Sequence, residues 1–322
     1  MAVPSLVIAA ALVAAASLLA LAFALWRRPY RLVQAEYARQ RLALGFARRQ
    51  ATIDGERWTW VERAADRADA PTLVMVHGYT GSKENWYRLA ARLGRRYRLV
   101  APDLPGWGES ERRPGADYGY AAEAARVAAF LRHLAAGPVV LLGHSMGGGI
   151  AAVVAARHPE LVARVALLDA SGVEFAENRF GLDVLDGRNP FGVHDGTSLE
   201  AYLSILFHGR DRRPPMPWPA PWALVAHRRG EGDFEQSVLD RIGRGDERFL
   251  PGESAPSIRQ PALLVWGADD QVIDASAMDI FGAAMPQARR LLLRQCGHMT
   301  LMECPGEVAD AVRSLVEEDR HA

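Results

Sequence analysis

The sequence predicts an α/β fold, with a mostly parallel central sheet, helices on both faces, an inserted helical lid and one N-terminal transmembrane helix. Three observations predict it. From residue 50 onward, short apolar runs alternate with segments of helical periodicity, the pattern of a sheet covered on both sides. Between residues 172 and 258 that alternation breaks down into a proline-rich, helix-bearing stretch. The first 26 residues carry no charged side chain at all.

Composition narrows the function before any motif is read. The 322 residues are 49% apolar and 24% charged, which excludes a disordered, collagenous or disulfide-scaffold chain. Basic and acidic residues balance at 38 each, so the chain lacks the basic excess expected of a nucleic-acid binder. Only Lys83 is a lysine; the other basic residues are arginines. Two cysteines, Cys296 and Cys304, make neither a disulfide framework nor a structural zinc site, and no metal or cofactor is called for.

The balance hides segregation along the chain. Val3 to Trp26 is an unbroken apolar run, at ~1.5 Å per residue long enough to cross a ~30 Å hydrocarbon core. A cleaved signal peptide is the rival, because Ala22-Phe23-Ala24 resembles a cleavage site. The run lacks a preceding Lys or Arg and exceeds the usual signal length, which favours an anchor over residues 1–26. Residues 27–50 hold seven arginines against Glu36, a net +6, leaving −6 on residues 51–322. That placement favours a cytoplasmic catalytic domain, with a secreted or periplasmic one as the alternative. Tyr30 to Phe46 is expected to be helical. It would lie on the membrane with Leu32, Tyr37, Leu42 and Phe46 inward, or form a solvated linker.

The elements follow in order. Ala51–Ile53 and Trp58–Val61 read as a hairpin around Asp54-Gly55. Thr72–Val76 is a buried strand, Glu84–Leu93 a helix, Tyr97–Ala101 a strand and Tyr120–Leu134 a helix. Val139–Leu142 is the next strand, followed by a helix over Ile150–Arg157 and a strand over Val165–Leu168. Two helices are expected in the 172–258 lid. One spans Leu199–Phe207, opened by a capping box of Thr197 with Glu200, and the other Phe234–Ile242. Strands resume at Ala262–Trp266 and Arg290–Leu293, and a helix over Glu307–Val316 closes the chain. The core is thus residues 51–171 together with 259–322.

Chemistry enters at Gly143-His144-Ser145-Met146-Gly147, a G-x-S-x-G placed between a strand and a helix. In that context the serine sits on a sharp turn as a nucleophile, and only small neighbours fit beside it. Its hydroxyl needs a base, and the base an orienting acid, from the ends of later strands in the order acid, then histidine. Asp270, in Gly267-Ala268-Asp269-Asp270-Gln271, and His298, in Gln295-Cys296-Gly297-His298-Met299, meet both conditions. Asp169 ends an earlier strand and offers another route to the histidine, while Asp103 is expected to pin a Pro-Gly turn. The oxyanion donors are expected at the backbone N–H groups of Met146 and Tyr79, with His77 buttressing the second loop. In the lid, Phe207, Met216, Trp218 and Trp222 offer apolar surface for an acyl chain.

Together VHGYTGSKENW, APDLPGWGES, GHSMGGG, VWGADDQVID and CGHMTLMECP resemble the α/β-hydrolase fold family over residues 50–318. Within it, the apolar N-terminus with the GHSMGG and CGHxxxMExP motifs is similar to membrane-anchored monoacylglycerol lipases and related bacterial lipases. The resemblance implies a serine esterase with Ser145, Asp270 and His298 as its triad and Tyr79 and Met146 as its oxyanion hole. It also implies a lipid or other apolar ester as substrate, met at a membrane through the N-terminal helix; no nucleic acid, from the charge balance, and no obligate protein partner are expected. Two rivals remain, a carbon–carbon bond hydrolase with a similar triad and a non-catalytic binding protein of the same fold. Dehalogenase and epoxide-hydrolase chemistry would need an aspartate where Ser145 stands.

Overall fold

The computed structural model describes residues 3–317, leaving the side chains at positions 3–6, 18, 21 and 22 outside that description. The chain opens with helix α1 (Val3–Arg27), whose described side chains Val7, Ile8, Leu12, Val13, Leu19, Phe23 and Trp26 are exposed. Among the described residues, no helix is long and apolar enough to cross a membrane. The expected transmembrane helix over residues 1–26 is therefore not shown, and residues 1 and 2 lie outside the described part.

Helix α2 (Tyr30–Ala43) lies within the stretch expected to be helical. It packs on the protein, with Val33 buried and the Tyr30 ring stacked on His227 at 3.8 Å. Through Tyr30 this helix meets a helix of the insertion. Leu42 stays exposed, and Phe46 lies beyond the helix, buried against Tyr87.

Strands β1 (Ala47–Ile53) and β2 (Glu56–Arg63) form the predicted hairpin. Asp54 and Gly55 both take positive φ, 48° and 80°, as a two-residue turn matched to strand twist requires. Then come β3 (Thr72–Val76), α3 (Tyr87–Leu93), β4 (Arg98–Asp103), α4 (Tyr120–Leu134), β5 (Val139–His144), α5 (Met146–Arg157) and β6 (Val162–Leu168). The chain then leaves the sheet for α6 (Arg179–Leu185), α7 (Gly196–Leu206), α8 (Ala220–Arg228), α9 (Gly232–Gly243) and α10 (Leu250–Ser254). It returns through β7 (Ala262–Gly267), α11 (Ser276–Ala284), β8 (Arg289–Leu293), α12 (Thr300–Glu303) and α13 (Pro305–Glu317). The expected end of the core at residue 322 includes residues 318–322, which lie outside the described residues.

The eight strands form one sheet in the order β1-β2-β4-β3-β5-β6-β7-β8, parallel from β4 to β8. β3, β5 and β7 are buried along their whole length, as strands covered on both faces must be. This arrangement delivers the carboxyl ends of β3, β5, β6 and β7 to one edge, the usual location of a site in such sheets.

In the insertion the expected capping box is displaced. Asp195, not Thr197, caps α7, its carboxylate accepting from Ser198 N–H at 2.7 Å while the Ser198 hydroxyl accepts from Asp195 N–H at 2.9 Å. A carboxylate acceptor two residues earlier wins over the threonine hydroxyl. The insertion also holds α6, α8 and α10, which the sequence pattern did not indicate.

Candidate active site

The site begins with the turn that joins β5 to α5. Ser145 sits there at φ 55° and ψ −122°, a conformation that costs a non-glycine residue about 1–3 kcal/mol. The turn is so tight that a Cβ on Gly143 would stand 2.2 Å from the Gly147 carbonyl oxygen. One on Gly147 would stand 2.3 Å from that of His77. The two glycines flanking the serine are therefore a steric requirement, and the strain is held by the packed strands around them. The Ser145 N–H donates to the Leu168 carbonyl at 2.9 Å, tying the turn to the end of β6.

The β7 and β8 ends bring Asp270 and His298 together. Asp270 Oδ2 lies 2.8 Å from His298 Nδ1, and both residues are buried. The other oxygen, Oδ1, accepts from Val272 and Ile273 N–H at 2.8 and 3.0 Å, which fixes the carboxylate plane. Neighbouring Asp269 turns away to face His208 Nδ1 at 3.3 Å. His298 is held against the serine turn through the preceding residue: His144 Nε2 donates to the His298 carbonyl at 2.8 Å, and the two rings lie 4.9 Å apart. Burial pushes His144 down to about 3, so it stays neutral at this bond.

Asp169, the alternative acid, makes no hydrogen bond to His298. Its Oδ1 accepts from Gly267 N–H at 2.9 Å and its Oδ2 from the Thr300 hydroxyl at 2.5 Å. Complete burial and the nearby Asp270 push its carboxyl well above the usual range. It braces the ends of β6, β7 and the histidine loop.

The loop after β3 is supported as the sequence suggested. His77 Nε2 accepts from Leu104 N–H at 3.0 Å, and Nδ1 donates to the Gly78 carbonyl at 2.8 Å. Asp103 pins the Pro-Gly turn, accepting from Glu109 N–H at 2.9 Å and from buried Lys83 Nζ at 2.7 Å. Tyr79 is anchored from the insertion side: its hydroxyl donates to the Glu235 carbonyl at 2.7 Å and accepts from Asn189 Nδ2 at 3.2 Å.

Ser145, Met146 and Tyr79 open together onto a cavity of about 350 Å³. Its walls are largely apolar and come from the insertion, with Phe180, Leu182 and Leu185 from α6 and Leu239 and Ile242 from α9. The lid residues expected to serve the acyl chain do not line it. Phe207 is buried at the end of α7, Met216 packs against the core, and Trp218 and Trp222 face outward, Trp218 being 85% exposed. Apolar type alone does not tell a cavity wall from an outer surface.

The alpha/beta hydrolase fold family model matches residues 71–214 and 218–305. Lipase 1 of Psychrobacter immobilis is 29% identical over 257 residues, covering 77% of this chain and 78% of that protein. A monoacylglycerol lipase of Xenopus laevis is 26% identical over 313 residues, covering 93% and 91%. The crystal structure of a bacterial membrane phospholipase A superposes with a TM-score of 0.86 at 30% identity, covering 97% of this chain and 99% of that one. The chain belongs to the α/β-hydrolase family. Within that family it is an enzyme of the lipase and esterase type, a carboxylic ester hydrolase.

Proposed function

We propose that the enzyme is a membrane-attached lipase acting on monoacylglycerols, through an acyl-enzyme on Ser145. The observation that carries this reading is the buried Asp270–His298 pair, 2.8 Å apart, beside a strained serine that opens onto an apolar cavity. With its Nδ1–H donating to the Asp270 carboxylate, His298 has Nε2 free as a base. It takes the proton from Ser145 Oγ, which attacks the ester carbonyl and forms the C–O bond of a tetrahedral intermediate. Backbone N–H groups of Tyr79 and Met146 receive the oxyanion, each such donor contributing about 2.7–4 kcal/mol to the transition state. His298 then returns the proton to the departing alcohol, and water, activated the same way, releases the fatty acid.

Attachment to lipid is supported by the charge-free start of the chain and the outward apolar side chains of α1. Arg27, Arg28 and Arg31 directly after it favour the cytoplasmic face for the catalytic part. Relatives named as monoacylglycerol lipases and a structural relative named as a membrane phospholipase support the same setting.

A fluorophosphonate probe on wild type and Ser145→Ala, read by peptide mapping, tests the nucleophile. Label on Ser145 alone is expected; label elsewhere, or none on folded wild type, contradicts it. A substrate panel of p-nitrophenyl esters, a monoacylglycerol and a vinylogous diketone separates esterase from carbon–carbon bond chemistry. Preferred turnover of the diketone would overturn the lipase reading.

A further inference from the structure

Glu303 ends the single turn of α12, five residues beyond His298, and its side chain folds back under the histidine loop. Oε1 accepts from the N–H groups of Gly297 and Met299, at 3.1 and 3.3 Å, the two residues flanking His298. Oε2 accepts from His208 N–H at 3.0 Å, in the segment that follows α7. His298 N–H itself donates to the Leu206 carbonyl at 3.0 Å, at the end of α7. Three successive backbone donors, 297 to 299, are thus held by one carboxylate and one carbonyl of the insertion.

The fit leaves little freedom. A Cβ on Gly297 would stand 2.7 Å from His208 N and 3.0 Å from Glu303 Oε1. On the other side, a Cβ on Gly267 would stand 2.1 Å from the Gly297 carbonyl oxygen. The loop is clamped between the end of β7 and the insertion. One carboxylate thus accepts three N–H groups, those of Gly297 and Met299 buried, and a buried donor stripped of its acceptor carries the full desolvation cost.

We infer that Glu303 is a positioning residue for His298: it fixes the histidine loop and fastens it to residues 206–208 of the insertion. Asp270 orients the imidazole ring, and Glu303 sets where the backbone carrying that ring stands. The insertion is then a part of the catalytic frame as well as the wall of the cavity. This rests on His298 acting as the base.

The test uses the full-length enzyme and a short soluble ester, p-nitrophenyl butyrate, with circular dichroism and thermal unfolding to verify folding. Glu303→Ala is expected to lower kcat about a hundredfold with KM within about threefold, the signature of a base displaced by a fraction of an ångström to an ångström. Glu303→Gln, whose amide oxygen still accepts from Gly297 and Met299 but whose nitrogen cannot accept from His208, should lose only about tenfold in kcat. If Glu303→Ala does not fold, that tenfold kcat loss in Glu303→Gln carries the test. Either folded variant staying within about threefold of wild-type kcat, or a loss residing in KM, overturns the inference. His298→Ala is the control. If it retains kcat, the reading of the base fails; if it is inactive while folded Glu303→Ala stays within about threefold of wild-type kcat, only the positioning role fails.

Discussion

Asp270 divides its oxygens between two tasks, and a single substitution separates them. In Asp270→Asn the amide oxygen stays on the Val272 and Ile273 N–H groups, because only an oxygen can accept them. The NH2 group then faces His298 Nδ1 and forces the proton onto Nε2, the nitrogen that should act as base. A folded enzyme with kcat down by about 10⁴-fold is expected, measured on p-nitrophenyl butyrate. His144 makes a different demand, on stability. Its pKa is about 3 in the fold against an ordinary 6.5, so the unfolded chain binds the proton more readily. The stabilisation is complete above 6.5 and is lost as pH falls from there toward 3, at about 1.4 kcal/mol per pH unit. His77, lowered by burial in the same way, adds to this slope. Urea unfolding between pH 7 and 5 should therefore show a shallower loss for His144→Gln than for wild type; equal slopes would refute the assignment. At this scale the sequence was legible where a motif meets a strand end, as at Ser145, Asp270 and His298. Glu303 stood inside a quoted motif, yet its role was not, because it depends on which backbone donors fold under a side chain. His144 was hidden for the same reason.

At the level of elements, strands β3, β5 and β7 were readable because full burial on both faces writes uninterrupted apolar runs into the sequence. The helices α4, α9 and α13 were readable because each carries one apolar face toward the core. Helices α6, α8 and α10 were not: they are short, α8 and α10 begin around prolines, and α6 leaves Leu182 and Leu185 facing a cavity instead of a core. The Pro-Trp run, where the sequence offered apolar surface for an acyl chain, stands outside that cavity. Cavity walls from α6 and α9 make a direct prediction. Ile242→Trp should fill the space and lower kcat/KM for a decanoyl ester at least tenfold, leaving a butyryl ester within about twofold. Trp218→Ala, outside the cavity, should leave both esters alone; a decanoyl loss in that variant would move the acyl site back to the outer face.

Across the whole molecule, zero net charge conceals a basic, apolar N-terminal part joined to an acidic remainder. Helix α2 ties these halves together, since Tyr30 stacks on His227 of α8 within three residues of the end of α1. If α1 sits in lipid, placing arginine there costs about 2.5–3.5 kcal/mol per residue near the bilayer centre. Leu12→Arg combined with Val13→Arg should release the full-length protein from anionic vesicles in a flotation assay, with butyrate turnover unchanged. Continued flotation would show that attachment lies elsewhere. The central claim is the reaction itself, and one measurement meets it most directly: release of fatty acid from mono-, di- and triacylglycerols of matched chain length by wild type and Ser145→Ala. The expected result is fastest turnover of the monoacylglycerol and a loss of at least about a thousandfold in the variant. Equal rates for wild type and Ser145→Ala would contradict it.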